Sequence, residues 1–246
     1  NPKVVTPGKC FEDRHFYKMT AVTAIVDGEL FVSGRKIFLP DSPNALSVII
    51  DDVAEVTLKN IYFRTIPRGL SHYNGKVIID IGANVGVFAA YASQVFDKSK
   101  IVCIEGCSDI FASLEKTFSE ARNIELVNEI VGDEGGRGSL PMSDDAFTMS
   151  KVLVADGNAG KEFITIDGFL GFRPDLADVG LIKIDAEGME REILKGAKAT
   201  IAVCKPFLCI SAYHKIDDIP VLVSLIKEIR SDYSVIVSDE MHLYAF

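Results

Sequence analysis

From residue 76 onward, short apolar runs alternate with longer stretches in which apolar positions recur at helical spacing. The runs predicted as strands are 77–81, 101–105, 124–127, 181–185, 207–211, 233–237 and 242–246. The helical stretches are 84–96, 108–120, 189–202 and one that begins at Asp217-Asp218. Repeated βα units with short connections predict an α/β fold, namely a Rossmann-like, doubly wound, mainly parallel sheet of seven strands with one antiparallel edge strand.

Residues 1–74 have a different pattern and predict a small β-containing N-terminal extension that supplies substrate or oligomer contacts. Residues 21–26 and 29–39 favour strands, and Asp27-Gly28 and Ser33-Gly34 are typical hairpin turn pairs. The segment 47–63 fits a strand or a helix, and we interpret it as mostly helical. Residues 75–246 then form the main domain, in which 132–160 are rich in glycine and polar residues and indicate an inserted hairpin or mobile loop, with 163–166 extended after it.

Composition narrows the class of protein. The 246 residues are 48% hydrophobic and 25% charged, as in folded globular proteins, and the net charge of −9 argues against a nucleic-acid binder. The longest apolar stretch, 82–96, is shorter than the roughly 20 residues of a membrane-spanning helix. Five cysteines without a CxxC pair favour a reduced, cytoplasmic protein with no disulfide framework and no structural zinc.

Ligands of doubly wound sheets bind outside the carboxyl ends of the strands, which directs attention to 80–86, 105–108, 185–188 and 211–215. In the first of these, Gly82 permits a sharp turn and lets a ligand lie against the loop, and Gly86 lets the helix start pack closely. The glycines do not have the G-x-G-x-x-G spacing of dinucleotide sites, and Asp80 disfavours a phosphate there. S-adenosylmethionine (SAM), which carries a sulfonium and an amino group but no phosphate, fits better. A tight turn with a capping acid is the purely structural alternative.

The other strand ends carry further candidates. Glu105 can accept hydrogen bonds from both ribose hydroxyls, which suits SAM and NAD equally. Lys183 lies within an apolar strand and needs a partner, either Asp80 or Asp167, whereas Asp185 and Glu187 remain for function. His214 is the only histidine that the predicted topology places in the crevice, next to Tyr213 and Lys215, and it can take a proton from a hydroxyl near neutral pH.

These motifs resemble the FkbM family of SAM-dependent methyltransferases. The resemblance covers about residues 75–235 and rests on 80–86, Glu105, 165–167, 183–188 and the Leu194-Lys-Gly-Ala sequence. It implies a Rossmann-like sheet, SAM as methyl donor, and methylation of a hydroxyl on a sugar, glycoconjugate or polyketide-like product. It also implies that Gly82, Asn84 and Gly86 line the methionine end of SAM, that Glu105 holds the ribose and that Asp185 faces the methyl group.

The full set of expected cofactor residues is Asp80, Gly82, Ala83, Asn84, Gly86, Glu105, Cys107 and Asp185, and the expected catalytic set is His214, Asp185, Glu187 and Lys215. Two positions depart from the family pattern. Gly106-Cys107 replaces the usual proline after the ribose acid, and Phe118 stands where an asparagine is usual. Both concern the adenine side of the site.

The expected mechanism uses His214 as general base, with Asp185 or Glu187 orienting it or the substrate. In a rival version Asp185 holds a divalent metal that lowers the hydroxyl pKa, although no metal is predicted. Two other classes stay open. One is an NAD-type oxidoreductase, against which the glycine spacing and Asp80 argue. The other is a non-catalytic SAM-binding module of a larger biosynthetic protein. The expected partner is a small-molecule or saccharide acceptor.

Overall fold

A computed structural model describes residues 3–4, 23–26, 29–41, 45–63, 69–134, 136–139, 153–154 and 161–246. The main sheet has seven strands in the order β13-β14-β12-β11-β5-β6-β7. These strands are β5 (Val77–Ile81), β6 (Ile101–Ile104), β7 (Ile124–Val127), β11 (Val179–Ile184), β12 (Phe207–Ser211), β13 (Val235–Val237) and β14 (His242–Ala245). Their lengths and positions follow the apolar runs of the sequence, and five of them, β5, β6, β7, β11 and β12, pair in parallel.

The predicted doubly wound, seven-stranded sheet is therefore confirmed, with one change at its edge. The antiparallel strand, β14, is not at the edge but lies between β12 and β13 and pairs antiparallel with both. The edge strand β13 thus runs in the direction of the parallel strands. The reason is that the short 238–241 connection makes β13 and β14 a hairpin, and the longer of the two pairs with β12.

The connecting helices are α2 (Val87–Val95), α3 (Ser108–Phe118), α4 (Ile166–Gly171), α5 (Glu190–Gly196), α6 (Lys198–Cys204) and α7 (Asp218–Ile229). The single helix predicted over 189–202 is wrong, because it breaks at Ala197 into α5 and α6. A side chain at Gly196 would meet the Gly132 carbonyl oxygen at 2.1 Å, so the neighbouring loop packs tightly at this point. The Asp167 carboxylate then caps α6 by accepting from the amides of Ala199 and Thr200, both at 2.8 Å.

The described residues of the N-terminal extension include a four-stranded sheet and an α-helix. The strands are β1 (Lys3–Val4), β2 (Thr23–Val26), β3 (Glu29–Val32) and β4 (Arg35–Ile37), in that order, and the helix α1 (Ala45–Val53) runs on into a π-helical turn at Ala54–Leu58. The mostly helical interpretation of 47–63 agrees with this. The turn at Ser33-Gly34 is present, with positive φ at both residues, whereas Asp27-Gly28 lies outside the described residues.

The inserted segment contains a small antiparallel sheet, in the order β10-β8-β9, formed by β8 (Arg137–Ser139), β9 (Leu153–Val154) and β10 (Lys161–Glu162). The extended stretch predicted at 163–166 is shorter than expected. Ile164 makes a parallel bridge to Val131, but α4 already begins at Ile166, since the Thr165 side chain accepts from the Gly168 amide at 3.0 Å.

Two hydrophobic clusters cover the two faces of the main sheet. One of them also contains apolar residues of the extension, among them Leu30, Ile49, Val56 and Ile61, packed together with Phe88 of α2. The extension and this sheet face therefore share one core. None of the helices in the described parts of the chain is long and apolar enough to cross a membrane.

Candidate active site

The turn between β5 and α2 is shaped by contact with the end of β11. Gly82 has φ +72°, and a side chain there would lie 1.8 Å from the backbone carbonyl oxygen of Asp185. Gly82 thus makes the sharp turn that the sequence predicts. The space that a side chain would fill is occupied by the backbone of Asp185. This contact joins the expected cofactor loop to the residue that the resemblance places beside the transferred methyl group.

Gly86 serves the packing of the helix start, as predicted. Its φ is +93°, and a side chain there would come within 2.3 Å of the Phe118 ring of α3. Phe118, one of the two departures from the family pattern, is buried against this glycine, and the Arg35 guanidinium of the extension lies 5.1 Å from its ring centre. The aromatic ring therefore closes the α2–α3 contact.

Glu105 lies just beyond β6 and holds the loop in front of it. One carboxylate oxygen accepts from the Asn84 amide at 2.9 Å and the other from the Cys107 amide at 2.8 Å. Burial raises the pKa of Glu105, and these two amide hydrogen bonds oppose the rise. Each oxygen keeps a further acceptor position. Asn84 has a left-handed backbone conformation, φ +50°, and its backbone N–H points at Glu105. The Cys107 thiol is buried, and burial raises its pKa.

Asp80 and Lys183 form a buried ion pair on adjacent strands, β5 and β11. The Lys183 Nζ is 3.1 Å from Asp80 Oδ1, and the two side chains are 5% and 0% exposed. Lys183 also donates to the Gly82 carbonyl at 2.7 Å. Burial raises the pKa of Asp80, and the Lys183 charge opposes the rise. Of the two predicted partners for Lys183, Asp80 is the correct one, and Asp167 instead caps α6. Direct contact between Asp80 and a cofactor stays a prediction.

His214, just after β12, is surrounded by three carboxylates. Its Nε2 lies 3.7 Å from Asp185 Oδ1 and 3.5 Å from Glu187 Oε2, and its Nδ1 lies 3.0 Å from Glu190 Oε1. Burial by itself lowers the pKa of His214, but the Glu190 contact and the charges of Glu190, Asp185 and Glu187 outweigh it, so that the pKa is raised above 6.5. The structure thus brings together three of the four predicted catalytic residues.

Lys215, the fourth, points elsewhere. Its Nζ is 3.9 Å from Glu192 of α5, and its side chain is 41% exposed. Its backbone amide donates to Asp218 at 2.6 Å, which fixes the start of α7. Proximity in sequence to His214 does not give proximity of the charged group, because successive residues after a strand point in different directions.

Glu190 is a site residue that the sequence reasoning missed. It is fully buried, and its Oε1 accepts from the amides of Ala186 at 3.0 Å and Gly188 at 3.3 Å. These bonds hold the loop in which Glu187 takes a strained backbone, φ +51°. An acid in the first turn of a helix, two residues after a glycine, is the signal that predicts such a loop-capping role.

Tyr62 and a second histidine were also missed, and Tyr213, which the sequence places next to His214, was given no role. The Tyr62 hydroxyl donates to Asp185 Oδ2 at 3.3 Å and the Tyr213 hydroxyl to Oδ1 at 3.4 Å. The expectation that only His214 lies in the crevice is wrong, because the buried His242 of β14 packs its ring against both tyrosines, with centres 5.8 and 5.6 Å apart. The pairing of Ser211 with His242 across β12 and β14 brings it there.

The same residues bear on the metal version of the mechanism. Asp185, Glu190 and His214 offer ligand atoms that all lie within 4.8 Å of one another. However, Glu190 Oε1 already accepts two amide hydrogen bonds and contacts His214 Nδ1. The buried Glu190 Oε2 has no hydrogen-bond partner among the described residues, so these contacts do not decide between the two versions of the mechanism.

Comparison with known proteins decides the family. The model of the methyltransferase FkbM domain matches residues 80–233, more than half of the chain. This chain belongs to the FkbM methyltransferase family. The chain therefore contains a SAM-dependent methyltransferase domain, as the sequence resemblance implies. Family membership favours this class over an NAD-type oxidoreductase.

Individual relatives are distant. Methyltransferase 1 of Beauveria bassiana is 22% identical over 143 residues, 48% of this chain and 57% of the relative. The FkbM methyltransferase of Methylobacillus flagellatus matches with a TM-score of 0.55 and 23% identity over 76% of this chain and 47% of its own. The chain thus spans about half the length of these relatives. Fibrillarin of Aeropyrum pernix, which was crystallised with natively bound SAM, matches with a TM-score of 0.52, 10% identity and 99% of both chains. At these identities the structural matches establish the Rossmann-like fold.

Proposed function

We propose that this chain is the catalytic domain of a SAM-dependent O-methyltransferase that methylates a hydroxyl of a sugar, glycoconjugate or polyketide-like small molecule. The observation that carries the proposal is the position of His214 Nε2 between Asp185 and Glu187, at 3.7 and 3.5 Å. This group lies at the carboxyl end of β11 and β12, beside the loop that the family uses for its cofactor. An imidazole so placed suits a substrate that has a proton to lose.

In this proposal the crevice in front of β5 and β6 would hold SAM. Gly82, Ala83, Asn84 and Gly86 would line its methionine part. Glu105 would accept from the ribose hydroxyls through the acceptor positions that the Asn84 and Cys107 amides leave open. The local surplus of carboxylates, at Asp185, Glu187 and Glu190, suits a sulfonium cation and disfavours a pyrophosphate.

When bound, SAM would supply a methyl group to the acceptor oxygen and would be released as S-adenosylhomocysteine (SAH). Alignment of the reacting groups supplies on the order of 7–11 kcal/mol of the barrier reduction. The hydroxyl proton passes to His214 Nε2, which as a general base contributes roughly 10²–10⁴-fold. Asp185 and Glu187 orient the imidazole and the acceptor and stabilise the imidazolium that forms. Lys215 takes no direct step.

The experiment is a two-stage assay. Calorimetry with SAH and with NAD tests the cofactor, and methyl release against a panel of glycosides and polyketide-like alcohols then tests the acceptor. We expect SAH to bind and NAD not to bind. We further expect His214→Ala to lose at least a hundredfold in turnover with SAH affinity unchanged. Full turnover by this variant would remove His214 from the role of base.

The metal version is tested in the same assay. If His214 is the base, EDTA leaves the rate unchanged. A loss with EDTA that Mg²⁺ restores would instead favour a divalent cation on Asp185. A chain that binds SAH and transfers methyl to no acceptor of either class would favour the non-catalytic SAM-binding module.

A further inference from the structure

Tyr62 belongs to the N-terminal extension and lies outside residues 80–233, which match the family model. It nevertheless reaches the centre of the site, where its hydroxyl donates to Asp185 Oδ2 at 3.3 Å. We infer that Tyr62 is a positioning residue that fixes the Asp185 carboxylate, so that the extension forms part of the active site. The inference deepens the proposed function, and only the kinetic part of its test depends on that function.

The chain around Tyr62 is built to deliver this side chain. The π-helical turn at Ala54–Leu58 ends just before Asn60, which has a left-handed backbone, φ +50°. The Tyr91 hydroxyl of α2 donates to the Asn60 side chain at 3.3 Å, and the Tyr244 hydroxyl of β14 donates to the Ile61 carbonyl. Single π-helical turns that interrupt an α-helix occur frequently at functional sites. Two elements of the main domain thus anchor the two residues that precede Tyr62.

The Tyr62 ring is held on several sides. Its edge packs against Phe88 of α2 with ring centres 5.1 Å apart, and His242 of β14 packs perpendicular to it at 5.8 Å. The Lys183 ammonium lies 5.9 Å from the ring centre. Only 5% of Tyr62 is exposed. A buried ring with these contacts has one available orientation, so its hydroxyl is fixed relative to Asp185.

Asp185 needs such a fixed donor. The terminal torsion of an aspartate is broad and has no strong intrinsic preference, so its hydrogen bonds decide the direction of the two oxygens. Tyr62 holds Oδ2, which leaves Oδ1 facing Tyr213 at 3.4 Å and His214 Nε2 at 3.7 Å. Tyr213 is 40% exposed and belongs to the same loop as His214. Of the two tyrosines that donate to Asp185, Tyr62 is therefore the buried one.

The kinetic test is Tyr62→Phe, which removes the hydroxyl and keeps the ring. We expect kcat to fall about tenfold to a hundredfold, as misplacement of a catalytic group by about an ångström does. The KM for SAM and the affinity for SAH stay unchanged. The matched control is Tyr233→Phe, since Tyr233 is also buried and donates to the Pro206 carbonyl at 2.7 Å far from the site. It should lose similar stability and keep kcat.

A second readout needs no acceptor. The chain has four histidines, so the imidazole of His214 can be followed by NMR through a pH titration. The charged groups that face it are Asp185, Glu187 and Glu190. Without the Tyr62 donor the Asp185 charge is less compensated and attracts the imidazolium more strongly, so the pKa of His214 rises in Tyr62→Phe and not in Tyr233→Phe.

The outcomes separate the two proposals. If the wild-type chain methylates no acceptor, the proposed function fails, and the NMR titration alone decides the role of Tyr62. A His214 titration that is identical in Tyr62→Phe and wild type overturns the inference. So does an unchanged kcat, or a loss of SAH affinity as large as the loss of kcat, since that would make Tyr62 a cofactor or folding residue.

Discussion

The contact between Gly82 and the Asp185 backbone gives the sharpest prediction. In Gly82→Ala the new methyl group would lie 1.8 Å from the Asp185 carbonyl oxygen, so the end of β11 must move by more than an ångström. Gly34→Ala is the matched control, because Gly34 has a similar φ, +78°, and open space around the position of a side chain. The left-handed backbone costs an alanine about 1–2 kcal/mol in both variants.

The difference between the two variants isolates the contact. Forced overpacking costs typically about 1–3 kcal/mol, so Gly82→Ala should be less stable than Gly34→Ala by about that amount in urea denaturation. Because Asp185 moves with its carbonyl, methyl transfer should also fall, by about a hundredfold for a displacement of about an ångström. Equal stability of the two variants, or full turnover by Gly82→Ala, would refute this account of the glycine.

Three further predictions concern the charged groups. Glu105→Gln should weaken SAH binding at least about tenfold in calorimetry, since about one charge-assisted hydrogen bond is lost; unchanged affinity would contradict the ribose assignment. The rate of methyl transfer should increase with pH above 6.5, because His214 must be neutral to act as base and its pKa is raised. Glu190→Gln should shift this increase to lower pH. An unshifted pH profile would show that Glu190 does not raise the pKa of His214. Lys183→Met should lower the free energy of unfolding by about 3–5 kcal/mol in urea denaturation, because Asp80 is left buried without its partner. Combining it with Asp80→Leu should recover most of this loss. A double variant as unstable as Lys183→Met would argue against the ion pair.

The main sheet was predictable because most of its strands are short, mainly apolar runs flanked by turn residues. Three of them, 77–81, 124–127 and 207–211, have the predicted bounds. The helix break at Ala197 was not predictable, since the preceding Gly196 packs against the carbonyl of Gly132, which is 64 positions from Gly196 in the sequence. The same holds for the antiparallel strand next to the edge, because periodicity does not report which neighbour a strand chooses.

Within the site, the sequence identifies those residues that follow strands. Asp185, Glu187 and His214 come together because parallel strands end at the same edge of the sheet. Lys215 does not join them, since the direction of a side chain in a loop depends on local hydrogen bonds. Tyr62 could not be predicted at all, because its position results from packing of the extension on the main domain, and no local pattern reports such a distant contact.

The placement of β14 has a consequence for biosynthesis. This strand leaves the ribosome after every other strand of the sheet, yet it lies between β12 and β13 and carries His242, which packs against Tyr62 and Tyr213. A nascent chain can therefore assemble β5 and β6, and with them the Glu105 loop, well before the acceptor side is complete. A nonsense mutation at the codon for His242 would spare the motifs most typical of the family and still leave β13 without a neighbour.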